Sequence, residues 1–267
     1  MLSYPALTFL RFCQNHGLVQ LKNRPQWRTV PGGSKNYVDK IAAILGDKVQ
    51  LNSHINRIVR QSDGVWLEDR YGKRMHFDEV VLACHADQAL SLLDQPTLRE
   101  EALLKCFPYQ RNRAILHRDE SLMPLRRSAW ASWNYMGNFR QPEPSVSVTY
   151  WMNRLQPLAT GDNLFVSLNP LQEPAAGSIY RSFLYDHPAF KLDSVMAQQH
   201  LWQLQGEQRT WFCGAYFGYG FHEDGIQSGL AVAEALGGIP RPWTLDSPNS
   251  RIQVENIQRR QLRREAS

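Results

Sequence analysis

The chain has 267 residues, 43% of them hydrophobic and 11% aromatic, a composition that buries a core and excludes a disordered chain, a collagen or a disulfide-stapled miniprotein. Its formal charge is +5, and five arginines against two glutamates between Arg251 and Ser267 supply +3 of it, so the remainder is nearly neutral and nucleic acid is not the expected partner. No run reaches the ~18 apolar residues of a bilayer span, and no secretory cleavage pattern follows MLSYPALTFLRFC, so a soluble cytoplasmic protein is expected.

From Trp27 the chain reads WRTVPGGSKNYVDKIAAILGDKVQL. Pro31-Gly32-Gly33 marks a tight turn, Ser34 a candidate N-cap, and Tyr37, Ile41, Ile44 and Leu45 one helical face closed by Gly46. VQL, HINRIV, GVWLED and MHFDEVVLA follow as β-branched and aromatic runs separated by turn residues, which predicts a meander. It ends in Val80-Val81-Leu82-Ala83, a continuous apolar strand of the kind that lies between layers. Helical patterns cover 87–93 and 98–106. RAILH, AWASWNY, SVSVTYWM, NLFVSL and SIYRSF are strand candidates with proline-punctuated loops. Asp193 is a candidate cap for a helix with Ala197, Leu201 and Leu204 on one stripe, and RTWFCGAY is a strand. A helix over 223–236 stops at Gly237-Gly238. The fold class expected is α/β with a β-rich insertion, an α+β arrangement.

Residues 209–238 carry the chemistry. A strand ends at Gly214, a loop holds four aromatics and two more glycines, and a helix opens near His222. Amides at a helix start are unpaired and carry the positive end of the macrodipole, and glycines let backbone approach a flat ligand. The bland alternative is a turn that only needs positive φ.

The run G-A-Y-x-x-Y-G-F-H-E-D-G-x-x-S-G-x-x-V-A-E resembles the C-terminal flavin-binding signature of FAD-dependent amine-oxidase-like proteins. It is most similar to the predicted FAD/NAD-binding proteins found beside, or fused to, cyclopropane fatty acid synthases. WRTVPGGSKNYV at 27–38, VQLNSHINRIV with FDEVVLACHADQAL, and DHPAF with QGEQRT support the resemblance in the family's order. It implies that FAD is the cofactor and that Gly214, Ala215, Gly220, Phe221, His222 and Glu223 line the isoalloxazine, with the His222 amide toward its O2 side. Phe221 falls where an aromatic fronts the flavin, and the Ile55 backbone falls at the adenine. Trp133, Tyr135 and Trp151 are candidates for an apolar substrate wall in front of the flavin, the alternative being an aromatic core. A two-residue period puts Trp133 and Tyr135 on one face and separates Tyr150 from Trp151.

Three departures bear on activity. The G-x-G-x-x-G fingerprint and its acidic ribose partner are absent, so a preceding segment or a partner chain carrying the dinucleotide half is expected. The acidic residue that commonly follows the last strand's glycine is replaced by Ala215-Tyr216. The lysine that amine oxidases set near flavin N5 has no counterpart in YQRNRAILH, around Asn112. The reading is therefore the C-terminal portion of an FAD-dependent oxidoreductase transferring hydride at N5 to or from an apolar, lipid-like molecule. The rival is a non-catalytic remnant or subunit that needs a separate nucleotide-binding half.

The expected segments are 1–26, a helical part of the substrate domain; 27–90 and 206–240, of the cofactor domain; 91–205, the substrate domain; and 241–267, a basic tail. The tail is expected to be a solvated helix, with RNA, an anionic membrane surface or a partner as alternatives. No metal is expected: the cysteines, Cys13, Cys84, Cys106 and Cys213, have no C-x-x-C spacing, and His222-Glu223 lacks the second histidine of a zinc helix because Ile226 stands there. Cys84-His85 is a weak nucleophile–base candidate, since neighbours on a strand face opposite ways.

Overall fold

The computed structural model describes residues 5–22, 26–138 and 145–254; the expected tail helix beyond 254 lies outside them. In chain order the elements are α1 (Ala6–Asn15), α2 (Lys35–Leu45), β1 (Ile55–Gln61), β2 (Gly64–Asp69), β3 (Arg74–Phe77), β4 (Val80–Leu82), α3 (Ala86–Leu92), α4 (Leu98–Leu104), β5 (Tyr109–His117), β6 (Trp133–Asn138), β7 (Ser145–Trp151), α5 (Met152–Leu155), β8 (Phe165–Leu168), β9 (Ile179–Pro188), α6 (Leu192–Gln198), β10 (Thr210–Phe212) and α7 (His222–Ala235). They form two compact units, residues 1–24, 52–109 and 188–267, and residues 25–51 and 110–187. Thus 1–24 groups with the strands expected of the cofactor domain, and α2 groups with the β-rich middle rather than with the meander. Among the described residues no helix is long and apolar enough to cross a membrane.

The first unit holds the antiparallel meander β1-β2-β3 and the two-stranded parallel sheet β10-β4. MHFDEVVLA, expected as one strand, is two. β3 runs antiparallel to β2 and β4 runs parallel to β10, and the chain must turn between them at Asp78-Glu79. VQL is irregular rather than a strand. Thr210, Trp211 and Phe212 pair with Val80, Val81 and Leu82. The outer edge of β10 is sealed by a side chain: Gln205 accepts the Phe212 N–H through Oε1 at 2.8 Å and donates Nε2–H to the Phe212 carbonyl at 2.7 Å. No strand lies on the outer edge of β4 among the described residues. Val81 turns its backbone to that edge in the parallel ladder, and it is 42% exposed. The expected cover on both faces is therefore incomplete.

The core of this unit is one cluster around Ile58, Leu104, Leu201, Leu204, Phe212 and Phe217. The helix stripe expected from Asp193 is broken in two. α6 ends at Gln198 and a 3-10 turn carries Leu201 and Leu204 inward. Asp193 does not cap α6; Ser194 does, accepting the Lys191 N–H at 3.0 Å and donating to the Cys106 carbonyl at 2.6 Å. Arg60 of β1 reaches Glu100 of α4 through two bonds of 2.5 and 3.0 Å, with both side chains almost wholly buried. Glu100 also accepts the Thr97 N–H at 2.7 Å, closing a capping box with the Thr97 hydroxyl.

The second unit is a five-stranded sheet of order β6-β7-β8-β5-β9. A buried polar line crosses four of its strands: His117 Nε2 to Ser167 Oγ at 2.8 Å, Ser167 Oγ to Thr149 Oγ1 at 2.7 Å, and Asn134 Nδ2 to the Thr149 carbonyl at 3.2 Å. The Asp119 amide donates to His117 Nδ1 at 3.1 Å, so the proton sits on Nε2 and the ring is neutral. Burial holds His117 below its ordinary value against the pull of Asp119. Ser34 makes no cap bond to α2; Asn36 ties the preceding turn instead, donating to the Pro31 carbonyl at 2.6 Å. α2 has no buried residue, so its apolar face is unpacked.

Two outcomes follow from these buried groups. Arg60→Ala leaves the Glu100 carboxylate buried without its counter-ion, and urea unfolding should show a loss of about 3–5 kcal/mol. For His117 the folded value lies below the free 6.5. Its neutral-state contribution is complete above that value and is lost as pH falls through 6.5 toward the folded value. Thermal unfolding followed from about pH 8 to pH 5 should decline over that window, and less steeply in His117→Gln.

Candidate functional site at the carboxyl ends of the parallel strands

In open parallel sheets, loops at the carboxyl ends of the strands are where ligands bind. β10 leads through Cys213 to Gly214 at φ 152°, and a Cβ there would stand 2.9 Å from the Tyr216 ring and 3.5 Å from the Cys84 carbonyl. Only glycine fits. Ser228 of α7 fixes this residue from both ends: its Oγ accepts the Gly214 N–H at 3.0 Å and lies 3.1 Å from the Gly214 carbonyl. Ala215–Phe217 form a 3-10 turn. The Gly218 and Gly220 amides both return to the Ala215 carbonyl, at 3.2 and 3.1 Å.

The start of α7 is built around Asp224, which is fully buried. Its Oδ2 accepts the Phe221 N–H at 2.8 Å, and Arg251 grips the carboxylate at 2.6 and 3.2 Å. The Asp224 and Gly225 amides close on the Phe221 carbonyl at 3.1 and 3.2 Å. That leaves the amides of His222 and Glu223 with no protein acceptor among the described residues, and both residues are exposed. Two helix-start N–H groups, backed by the macrodipole, thus face outward beside the glycine turn. Phe221 is stacked on Phe12 at 6.0 Å and lies 5.1 Å from His16.

Six of the residues expected to line a flavin, Gly214, Ala215, Gly220, Phe221, His222 and Glu223, sit together in this strand-turn-helix. Ile55 opens β1 in the same unit, opposite Asp69. Trp133 and Tyr135 lie on one face of the second unit's sheet, 41% and 71% exposed, with Trp27 edge-on to Trp133 at 5.6 Å. Trp151 does not join them. Trp133 pairs with Tyr150, so the next residue turns to the other face, where Trp151 packs edge-on to Trp130 at 5.2 Å and donates to Asn163 at 3.0 Å. A common wall of Trp133, Tyr135 and Trp151 is excluded by this alternation.

Cys84 and His85 do not form a nucleophile and base. Burial pushes the Cys84 thiol up, the wrong direction for a thiolate, and His85 stacks on Tyr109 at 4.2 Å. Asn112, where the resemblance would call for lysine, is held by polar neighbours: Nδ2 lies 2.9 Å from His187 Nδ1, and Oδ1 accepts from Asn169 at 2.7 Å. The solvated reading of the basic end is corrected at its described start, because Arg251 is ion-paired and Ile252 is in the core. Sequence reasoning missed Asp224, Arg251 and Ser228 as supports of the turn. An acidic residue at the third helical position was a local signal for the first. Among the described residues no group of three or more His, Cys, Asp or Glu side chains is placed to hold a metal ion.

Residues 7–117, less than half of the chain, match the family model for flavin containing amine oxidoreductases. No curated protein sequence matches the chain. Among solved structures, a CLA-producing fatty acid isomerase from P. acnes is similar with a TM-score of 0.52 and 13% identity, over 76% of this chain and 52% of that one. A putrescine oxidase variant gives 0.54 and 12%, over 77% and 52%. Reduced UDP-galactopyranose mutase gives 0.53 and 12%, over 82% and 54%. These are likenesses of fold, and the chain spans about half the length of the structures it matches.

The support beneath the turn can be tested alone. Asp224→Ala removes the Phe221 cap and strands the Arg251 charge, and a loss of about 3 kcal/mol or more is expected in chemical unfolding.

Proposed function

We propose that the chain is a portion of an FAD-dependent oxidoreductase of amine-oxidase-like type, acting on an apolar, lipid-like substrate. The observation that carries this reading is the pair of unpartnered amides of His222 and Glu223 beside a turn whose Gly214 has no room for a Cβ. The backbone of Gly214, Ala215 and Gly220 would border the edge of a flat ring, Phe221 would front it, and the Ile55 backbone would meet the adenine. Bound FAD would accept or return a hydride at N5. The chain's own contribution is electrostatic: amides fixed by the Asp224 cap favour negative charge on the ring's pyrimidine oxygen without reorganising. The match of residues 7–117 to the flavin family supports the cofactor.

The substrate class rests on two further observations. Where amine oxidases place a lysine, this chain has an Asn112 engaged with Asn169 and His187, so amine oxidation is not favoured. Trp133, Tyr135 and Trp27 expose aromatic surface suited to an apolar molecule, and a fatty acid isomerase is among the proteins of similar fold. A second reading, a subunit that binds FAD only with a separate nucleotide-binding half, is favoured by the open edge of β4 opposite the sealed edge of β10. A parallel sheet grows by strand addition, and only one side accepts it.

Both readings meet in one titration. Proline is tolerated at the first helical position and removes only its amide, and Phe221 at φ −107°, ψ 167° suits a following proline. His222→Pro should lower FAD affinity about tenfold with the unfolding midpoint unchanged; equal affinity would overturn the amide assignment. Flavin taken up by the chain alone favours the first reading. Uptake only after adding a polypeptide with a strand, G-x-G-x-x-G and a helix favours the second, and no uptake in either case removes both.

A further inference from the structure

We infer that a small cleft between α1, α6 and the loop before α7 is a carboxylate-binding subsite for an apolar acid. Its inner walls are Phe190 and Phe217, and Arg11, Tyr219, Gln198 and Arg251 bring the polar groups. The two guanidinium groups differ in charge balance. Arg251 is neutralised by Asp224 and stacks over the Tyr219 ring at 5.1 Å. Arg11 lies 5.9 Å from the same ring and donates Nη1–H to the Tyr219 hydroxyl at 2.7 Å, with no carboxylate partner among the described residues. Among the described residues the cleft therefore carries one uncompensated positive charge, which fits a monoanion better than a dianion.

Donor geometry agrees. Because the Tyr219 oxygen accepts from Arg11, its own hydrogen is free to donate, and among the described residues the Arg11 Nε and Nη2 edge has no acceptor, leaving it for the two-point contact guanidinium makes with carboxylate. Gln198 does not compete, since its Nε2 is spent on the Tyr216 and Gly218 carbonyls. The cavity volume is about 30 Å³, room for about two water-sized groups. That suits the two oxygens of a carboxylate and excludes a ring.

The rest of the ligand is defined by what borders the cleft. Val195 and Gln199 line it, and helical spacing places Leu192 and Met196 on the same face of α6. These two are 64% and 61% exposed, a short apolar track leading away from the charge. The subsite thus names the head group of the apolar substrate proposed above, and its catalytic meaning rests on that reading; the binding itself does not.

Calorimetric titration of the full chain tests it with octanoate, octanol, octylamine and octyl phosphate. Octanoate should bind at least about tenfold more tightly than octanol, and octylamine should not bind. Arg11→Gln should abolish the advantage over octanol, and Arg11→Lys should keep part of it. Arg11 is exposed, so neither change should move the unfolding midpoint. Octanoate binding no tighter than octanol, an unaffected Arg11→Gln, or octyl phosphate outcompeting octanoate would each overturn the assignment. FAD uptake measured on the same samples separates the two ideas: head-group binding without flavin uptake sinks only the cofactor reading, and flavin uptake without head-group binding sinks only the subsite.

Discussion

The parallel pairing of β4 with β10 is the constraint on which the first unit depends. Three residues on each strand fix the level at which Gly214 emerges, and Gly214 in turn fixes the turn, the start of α7 and the direction of its free amides. A sheet this narrow cannot bury itself. Its stability comes from the cluster packed against it, from Ile58 in the meander to Val232 in α7, and from the Gln205 carboxamide that substitutes for a missing neighbour strand. The side chain satisfies both backbone groups of Phe212, which would otherwise be buried without partners at a cost of about 1–3 kcal/mol each.

Ion pairs do a different task in the same unit. Arg60–Glu100 ties the meander to α4, and Arg251–Asp224 ties the segment after α7 back to that helix's first turn. Both join residues far apart in sequence, and both carboxylates double as helix-cap acceptors. A buried pair adds little net stability over an apolar replacement, but it fixes geometry. At Asp224 this consequence is local: with the Phe221 amide occupied, the two amides after it are the ones left facing solvent.

What could be read from the sequence follows the range of the forces involved. The strand-glycine-helix at 209–236, the hairpins of the meander and the sheet strands are written in local periodicity and turn residues, but several ends move: β5 already starts at Tyr109, β6 spans Trp133–Asn138, β9 runs on to Pro188, and β10 stops at Phe212. The shared wall of Trp133, Tyr135 and Trp151 expected from the sequence fails because the β6–β7 register sets Trp133 opposite Tyr150, which alternation alone does not reveal. The failures are non-local. A run such as MHFDEVVLA gives no hint that its halves join different sheets, because the partners, β2 and β10, lie on either side of it in the chain. Nothing in the period of residues 201–205 shows that Gln205 will act as backbone, and α2 shows a clear amphipathic face that the chain leaves unpacked. The candidate site was legible as a turn; its supports Ser228, Asp224 and Arg251, and the Arg11 cleft, arise only when distant segments meet.

The asymmetry of the small parallel sheet also governs how copies of this polypeptide can stick together through it. With one margin blocked by the Gln205 amide, such contact can use only the other, and two molecules meeting there exhaust each other's bonding capacity. Self-association by that route ends at a closed pair and cannot propagate into a fibre.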